Sequence, residues 1–331
     1  MREASFIDKN KHRWHDIEHF EKENPDEISS DFIDLVNDLS YAQTHYPHSR
    51  ITNYINFLAA RVYKSIFVKQ DKNPILEYWK KDFPLIIGHN RKVLWVAVTF
   101  FFTFSILGYV CSFLDPNFIE SVMGAGYVQM TEANIKKGIP FGVYASESAL
   151  SMFLKIFANN LFVGLMVYMS GILLGIGTFY HTFKNGLMFG TFMAMFFKHS
   201  LGIQAIFVIM LHGTLELMGL ILECMAGLIL GLSFLFPNTL TRKEALKKGM
   251  LESAKIYIGT IPFTILAAFI ESYVTHLGKS GFSQANPLIM ILLALVFFGS
   301  WAFVVWYFFI YSKKVAKAFP LEEYLKGMVS S

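Results

Sequence analysis

Charge is scarce in this sequence, and so is cysteine. Only 16% of the 331 residues are Asp, Glu, Lys or Arg, against 54% that are hydrophobic and 16% that are aromatic; a soluble domain carries roughly a quarter charged residues. Water is therefore not the main solvent for this chain. Cys111 and Cys224 are the two cysteines and lie far apart in apolar stretches, which excludes a disulfide framework and a Cys-x-x-Cys metal pair. A basic face is missing too. The net charge is only +4, with Lys and Arg in short runs between apolar segments, so nucleic acid is not an expected partner. The first 90 residues are polar and charged, unlike a secretory signal, so the first span is expected to act as the targeting signal with the N-terminus left in the cytoplasm.

What the sequence does contain is a series of long apolar runs. They predict an all-α fold, a polytopic membrane helical bundle of about six transmembrane helices, preceded by a small cytoplasmic helical segment over residues 1–90. Within that segment Ser49 is placed to cap a run in which Ile51, Tyr54, Ile55, Leu58, Val62 and Ile66 recur at helical spacing. Phe32, Leu35, Val36 and Leu39 follow Ser29 and Ser30 in the same manner, and the two runs suit a helical hairpin whose apolar faces pack together or dock a partner. The bundle is expected over 91–312, with spans at 93–114, 160–180, 186–197, 203–236, 256–274 and 287–311. Between the first two, residues 115–153 read as an outer loop, with an interfacial helix over 147–158. The run 186–197 is short for a full crossing, so a tilted span flanked by Lys184 and Lys198 or a re-entrant segment both fit it. Six spans put the loop 237–255 and the tail 313–331 in the cytoplasm, and those segments carry Arg242, Lys243, Lys247, Lys248, Lys255, Lys313, Lys314 and Lys317, as the positive-inside rule requires.

The fourth span carries the most chemistry. At about 100° per residue His212, Glu216, Gly219 and Glu223 fall in one narrow stripe, and a charged side chain in hydrocarbon costs at least about 2.5 kcal/mol. The stripe should face the bundle interior or a wet cavity. The fifth span has its own polar line, Thr260, Thr264 and Glu271, and Asn159 and Asn160 open the second span. Counted along the spans, His212, Glu216, Glu271 and Asn160 come to similar depth, while Glu223 and Asn185 lie deeper toward the cytoplasm. Such a cluster either pairs internally and holds helices together or forms a proton, ion or lipid-headgroup site. A zincin-type metal site needs a second His where position 216 holds Glu, so neither a metal ligand set nor a cofactor is assigned; His199 and His276, near the outer surface, could contribute a ligand, but nothing in the sequence fixes them there. The small-residue pairs Gly171 with Gly175, Gly186 with Gly190, and Gly227 with Gly231 allow close helix approach, and Gly213 adjoins His212. Packing within the chain and a homodimer interface are both open readings of them.

Taken together, Asn160 before a Gly-rich span with Gly171, Gly175 and Thr178, the Asn185-Gly186 pair, the string His212-Gly213-x-x-Glu216, Gly227, and Ile270-Glu271 resemble the stage II sporulation protein M family over roughly residues 90 to 278. Where that family commonly has Pro before His-Gly, this chain has Leu211, so no kink is carried over. The resemblance implies a multi-pass protein of a bacterial inner membrane that anchors or organises peptidoglycan-degrading partners, in contact with lipids and envelope proteins. On that footing the chain is expected to be a non-enzymatic scaffold in envelope remodelling. A transporter or channel component built on the His/Glu cluster is the alternative, and an intramembrane metal hydrolase is a third.

Overall fold

The computed structural model describes residues 2–19, 25–67, 73–142, 148–237, 240–278 and 286–319. These are almost entirely helical, with no β-strand among the described residues. The chain divides into two compact units, Met1–Glu77 and Tyr78–Ser331.

The first unit comprises α1 (Glu3–His19), α2 (Pro25–His45), α3 (Arg50–Phe67) and the short α4 (Pro74–Glu77). Its core is Phe6, Trp14, Ile17, Leu35, Ala42, Ile55, Leu58 and Ala59, so the expected faces of α2 and α3 do pack together, joined by a face of α1. Two polar contacts fix the register of α1. The Trp14 indole N–H donates to Asp38 at 2.8 Å, with the Arg13 guanidinium on the same carboxylate, and the Tyr54 hydroxyl donates to Glu18 at 2.7 Å. Ser49 caps α3 by accepting from the backbone N–H of Ile51.

The second unit begins at Tyr78 rather than near residue 90. The short helix α5 (Phe83–His89) buries Phe83, Leu85, Ile86 and Ile87 and packs on α14 (Ser312–Ala318) and α12 (Arg242–Tyr273), so it belongs to the bundle. The long elements between are α6 (Arg91–Leu114), α9 (Ala149–Met169), α10 (Ile176–Lys198), α11 (Gly202–Leu235) and α13 (Pro287–Val304), with the short α7 (Phe118–Met123) and α8 (Ala125–Lys136) after α6. A π-helical turn, Val305–Tyr311, joins α13 to α14. Five stretches are long and apolar enough to cross a membrane: Arg91–Leu114, Ala149–Ile172, Gly202–Leu235, Arg242–Tyr273 and Pro287–Ala318.

Three expected helix starts move, each for a local reason, and the second span, expected to run to 180, ends at Ile172. Ser148 accepts from the N–H of Ser151 and starts α9 well before Asn160, so residues 149–158 are not a separate interfacial helix but the opening turns of a span; Glu147 lies outside the described residues. Likewise Thr241 and Glu244 form a reciprocal capping box, with N–H···O distances of 3.0 and 3.3 Å, and α12 therefore starts at Arg242, making the expected basic loop helical from that residue onward. The third run extends to 23 residues as α10, about 35 Å at roughly 1.5 Å per residue, because Gly175 turns the chain with a φ of +83° just ahead of it. Of the tail, α14 packs on α5; residues 320–331 lie outside the described residues.

The starts of α6 and α12 lie at the same end of the unit. Asn90 donates to Glu252 at 3.4 Å, the Tyr78 hydroxyl donates to the Lys255 carbonyl at 2.5 Å, and Arg91 donates to the Phe309 carbonyl at 2.7 Å. Chain that leaves one end in α6 and returns to it at α12 must traverse the unit an even number of times. The helices α6, α9 and α11 make three passes, and α10 supplies the fourth.

Small residues let these helices touch. A methyl group on Gly227 would strike Thr178 and the Val167 carbonyl, one on Gly171 would strike the Gly227 backbone, and one on Gly231 the backbone of Gly171 and Gly175. On the other side of α10, Gly186 and Gly190 meet the backbone of α6 at Phe101 and Ser105. The three expected pairs are thus engaged in packing within the chain. Gly227→Val should lower thermal stability in detergent by about 1–3 kcal/mol through overpacking, a loss that differential scanning fluorimetry of the purified variant measures.

Candidate functional site in the helical bundle

Two turns of α11 and the end of α12 build the site. His212 and Glu216 are one helical turn apart on α11, so their side chains leave the same face. Glu271 comes from the last turn of α12, the helix that packs most extensively on α11. His212 Nε2 lies 3.9 Å from Glu271 Oε2, and one donor atom from each of His212, Glu216 and Glu271 lies within 4.8 Å of the others. On its far side, His212 Nδ1 is 3.0 Å from the Thr275 hydroxyl, which itself donates to the Ile270 carbonyl at 3.2 Å. Thr275 stands in the 3-10 turn that ends α12, so the turn and the helix before it grip one imidazole from two sides.

From α9, Asn160 comes up beside Glu216, its side-chain amide facing that carboxylate. Lower on α11, Glu223 is buried with its carboxylate 3.2 Å from the Thr260 hydroxyl of α12, which also meets the Tyr257 carbonyl at 2.7 Å. The room for that carboxylate exists because position 164 of α9 is glycine: a methyl there would collide with the Glu223 carboxylate. Asn185 of α10 hydrogen-bonds the His181 carbonyl of its own helix at 2.8 Å.

All six expected polar residues, His212, Glu216, Glu271, Asn160, Glu223 and Asn185, line one cavity of about 1050 Å³, together with Gly213. Asn160 lies in the middle of α9 rather than at the start of a span, yet it still reaches this cavity. Thr275, Ser272 and Lys155 also line it and were not foreseen. Thr275 and Ser272 sit beyond or beside the expected end of the fifth span, and Lys155 sat in what read as an interfacial helix. One signal was present for two of them: Thr275 follows Glu271 by four residues and Lys155 precedes Asn159 by four, the helical repeat that places neighbours on one face. The side chain of His276 lies outside the described residues, and His199 ends α10 without lining the cavity.

An all-α chain with several helices long and apolar enough to cross a membrane, packed around a cavity with a polar cluster in its wall, is a multi-pass membrane protein. A family model described as Stage II sporulation protein M matches residues 97–276, which span α6 to the turn that carries Thr275, and the chain belongs to that family. Residues 4–67, the first unit's main helices, match a domain of unknown function (DUF8413). No curated protein and no solved structure matches the chain.

Removing the Thr260 hydroxyl beside Glu223 should register as a loss of stability. Thr260→Val keeps the shape of the side chain and takes away the hydroxyl, at an expected cost of about 1–3 kcal/mol for a buried acceptor left unmet. In a Glu223→Leu background the same change should cost less, which paired melting curves in detergent check.

Proposed function

We propose that this is a six-span protein of a bacterial cytoplasmic membrane, both termini cytoplasmic, that binds a cationic ligand in its polar chamber as a component of transport or charge relay. The observation that carries the reading is the cavity itself. Side chains that only hold helices together close up against one another, whereas here His212, Glu216, Glu271, Asn160, Glu223 and Asn185 form the polar part of a largely apolar wall around about 1050 Å³ of space, the size of a large small-molecule pocket. The three carboxylates favour a cation. The orientation follows from charge: Arg91, Lys248 and Lys255 cluster at one end through the contacts of Asn90, Glu252 and Tyr78, and positive charge favours the cytoplasmic side.

A second reading, favoured by the family match, is a non-enzymatic organiser of envelope remodelling that recruits cell-wall hydrolases, with the first unit and the basic helix ends as docking surfaces. The two readings separate on Glu216→Gln, which keeps shape and removes charge. Reconstituted in liposomes with an internal pH or cation dye, the wild-type chain should show protein-dependent uptake, and the variant should lose it while melting at nearly the same temperature. Uptake equal to that of empty vesicles would overturn the chamber reading. Capture of the same hydrolase by wild type and variant alike would support the organiser.

A further inference from the structure

We propose that His212 Nε2 and the carboxylates of Glu216 and Glu271 bind one divalent transition-metal ion of the zinc class, with a further coordination position open to the cavity. This rests on the chamber reading and names the cation that the chamber takes.

The tautomer of His212 is the first argument. A threonine hydroxyl has a single proton, and that of Thr275 goes to the Ile270 carbonyl at 3.2 Å. With the hydroxyl so directed, the same oxygen accepts from His212 at 3.0 Å; in that tautomer Nδ1 carries the ring proton and Nε2 presents its lone pair to the chamber. This is the arrangement in which a histidine serves as a metal ligand, its other nitrogen held by an outer partner.

The second argument is distance. Nε2 stands 3.9 Å from Glu271 Oε2, beyond the roughly 2.7–3.2 Å of an N–H···O hydrogen bond. A proton on Nε2 would consequently be left without a close acceptor there. Two bonds of about 2.0–2.2 Å meeting at a zinc ion span a separation of this order. The three donor atoms, all within 4.8 Å of one another, need only small side-chain rotations to converge. His212 and Glu216 share one rigid helix face and Glu271 the last turn of its neighbour, so the site is held by helices and not by loops.

Charge is the third. Three acceptors facing one another in a bundle interior repel, and two carboxylates with one dication sum to zero, which removes the cost of holding charge at membrane depth. The mixture of one imidazole nitrogen and two carboxylate oxygens suits zinc, iron(II) or manganese(II) better than calcium or magnesium.

An independent observation also points to a bound species. Ser272 is 3% exposed and lines the same cavity, and its hydroxyl has no hydrogen-bond partner. Buried polar groups are rarely left so. A species bound in the cavity would give that hydroxyl a partner, and three protein ligands plus a water is the coordination of zinc sites that remain accessible to substrate.

The test uses the full chain purified in mild detergent, stripped with chelator, incubated with zinc ion alone, passed over a desalting column and measured by inductively coupled plasma mass spectrometry. About one zinc per chain is expected, falling to background in His212→Ala and in Glu271→Gln. Thr275→Val, which touches no ligand atom but frees the imidazole, should weaken zinc binding by about 10–100-fold in a competition titration. Circular dichroism and gel filtration verify that each variant is folded; should a ligand variant fail to fold, Thr275→Val alone decides. No zinc retained by the wild type would overturn the proposal, as would retention unchanged in all three variants, which would place the metal on other histidines. If zinc is absent while cation uptake still depends on Glu216, the metal falls and the chamber stands; zinc without uptake leaves the metal site and removes the transport reading.

Discussion

Everything specific about this bundle depends on α11 lying against α12 in a register that sets His212 beside Glu271. A carboxylate or imidazole in hydrocarbon costs several kcal/mol unless another group from the protein answers it, and no residue within one helix turn of α11 can do this for three acceptors. The answer comes from the neighbouring helices: Glu271 and Thr275 toward His212, Thr260 toward Glu223, Asn160 toward Glu216. A slip of one residue in the α11–α12 contact would turn these groups by about 100° toward packed or lipid-facing surfaces. The polar chamber and the helix register are thus one constraint seen from two sides.

The remaining helices make room for that register. Glycine at 164 admits the Glu223 carboxylate, and glycine at 171, 227 and 231 brings α9, α10 and α11 into backbone contact. The α10–α6 face uses the same device at 186 and 190. Close backbone approach of this kind is how helices associate in lipid, where apolar burial offers little drive. At the opposite extreme of side-chain size, an aromatic group of Phe83, Phe263, Tyr307 and Phe308 ties α5 and the last helix to α12. Small residues set the spacing around the chamber, and large ones close the bundle at the end where the basic residues gather.

Much of this was legible in the amino acids, because membrane solvent imposes simple rules. Apolar run length gave the helical bundle, and the stripe of His212, Glu216 and Glu223 on one helix, with Thr264 and Glu271 on the next, anticipated residues that do line one cavity; Thr260 of the same line meets Glu223 instead. Helix starts were the weak point. Hydropathy marks where apolar residues begin, whereas Ser148 and the Thr241–Glu244 box start α9 and α12 well before that by satisfying backbone N–H groups. Asn160 thereby moved from a helix end to mid-helix, and Lys155 came into the chamber. The length of α10 was hidden for a related reason: His181, Lys184 and Asn185 dilute its apolar character, and only its fit between α6 and α11 makes it continuous. The part played by Thr275 depends on a turn after the helix, which no periodicity records.

The account as a whole requires the acidic and imidazole groups of α11 and α12 to meet inside the protein. An experimental structure of the full chain in a lipid nanodisc measures that directly. The account predicts His212 Nε2 within about 4 Å of Glu271, the limit of an ion pair or a shared ligand, with Thr275 on the other ring nitrogen and Asn160 across from Glu216. Side chains of His212 and Glu271 directed to lipid, or separated by packed apolar residues, would contradict it.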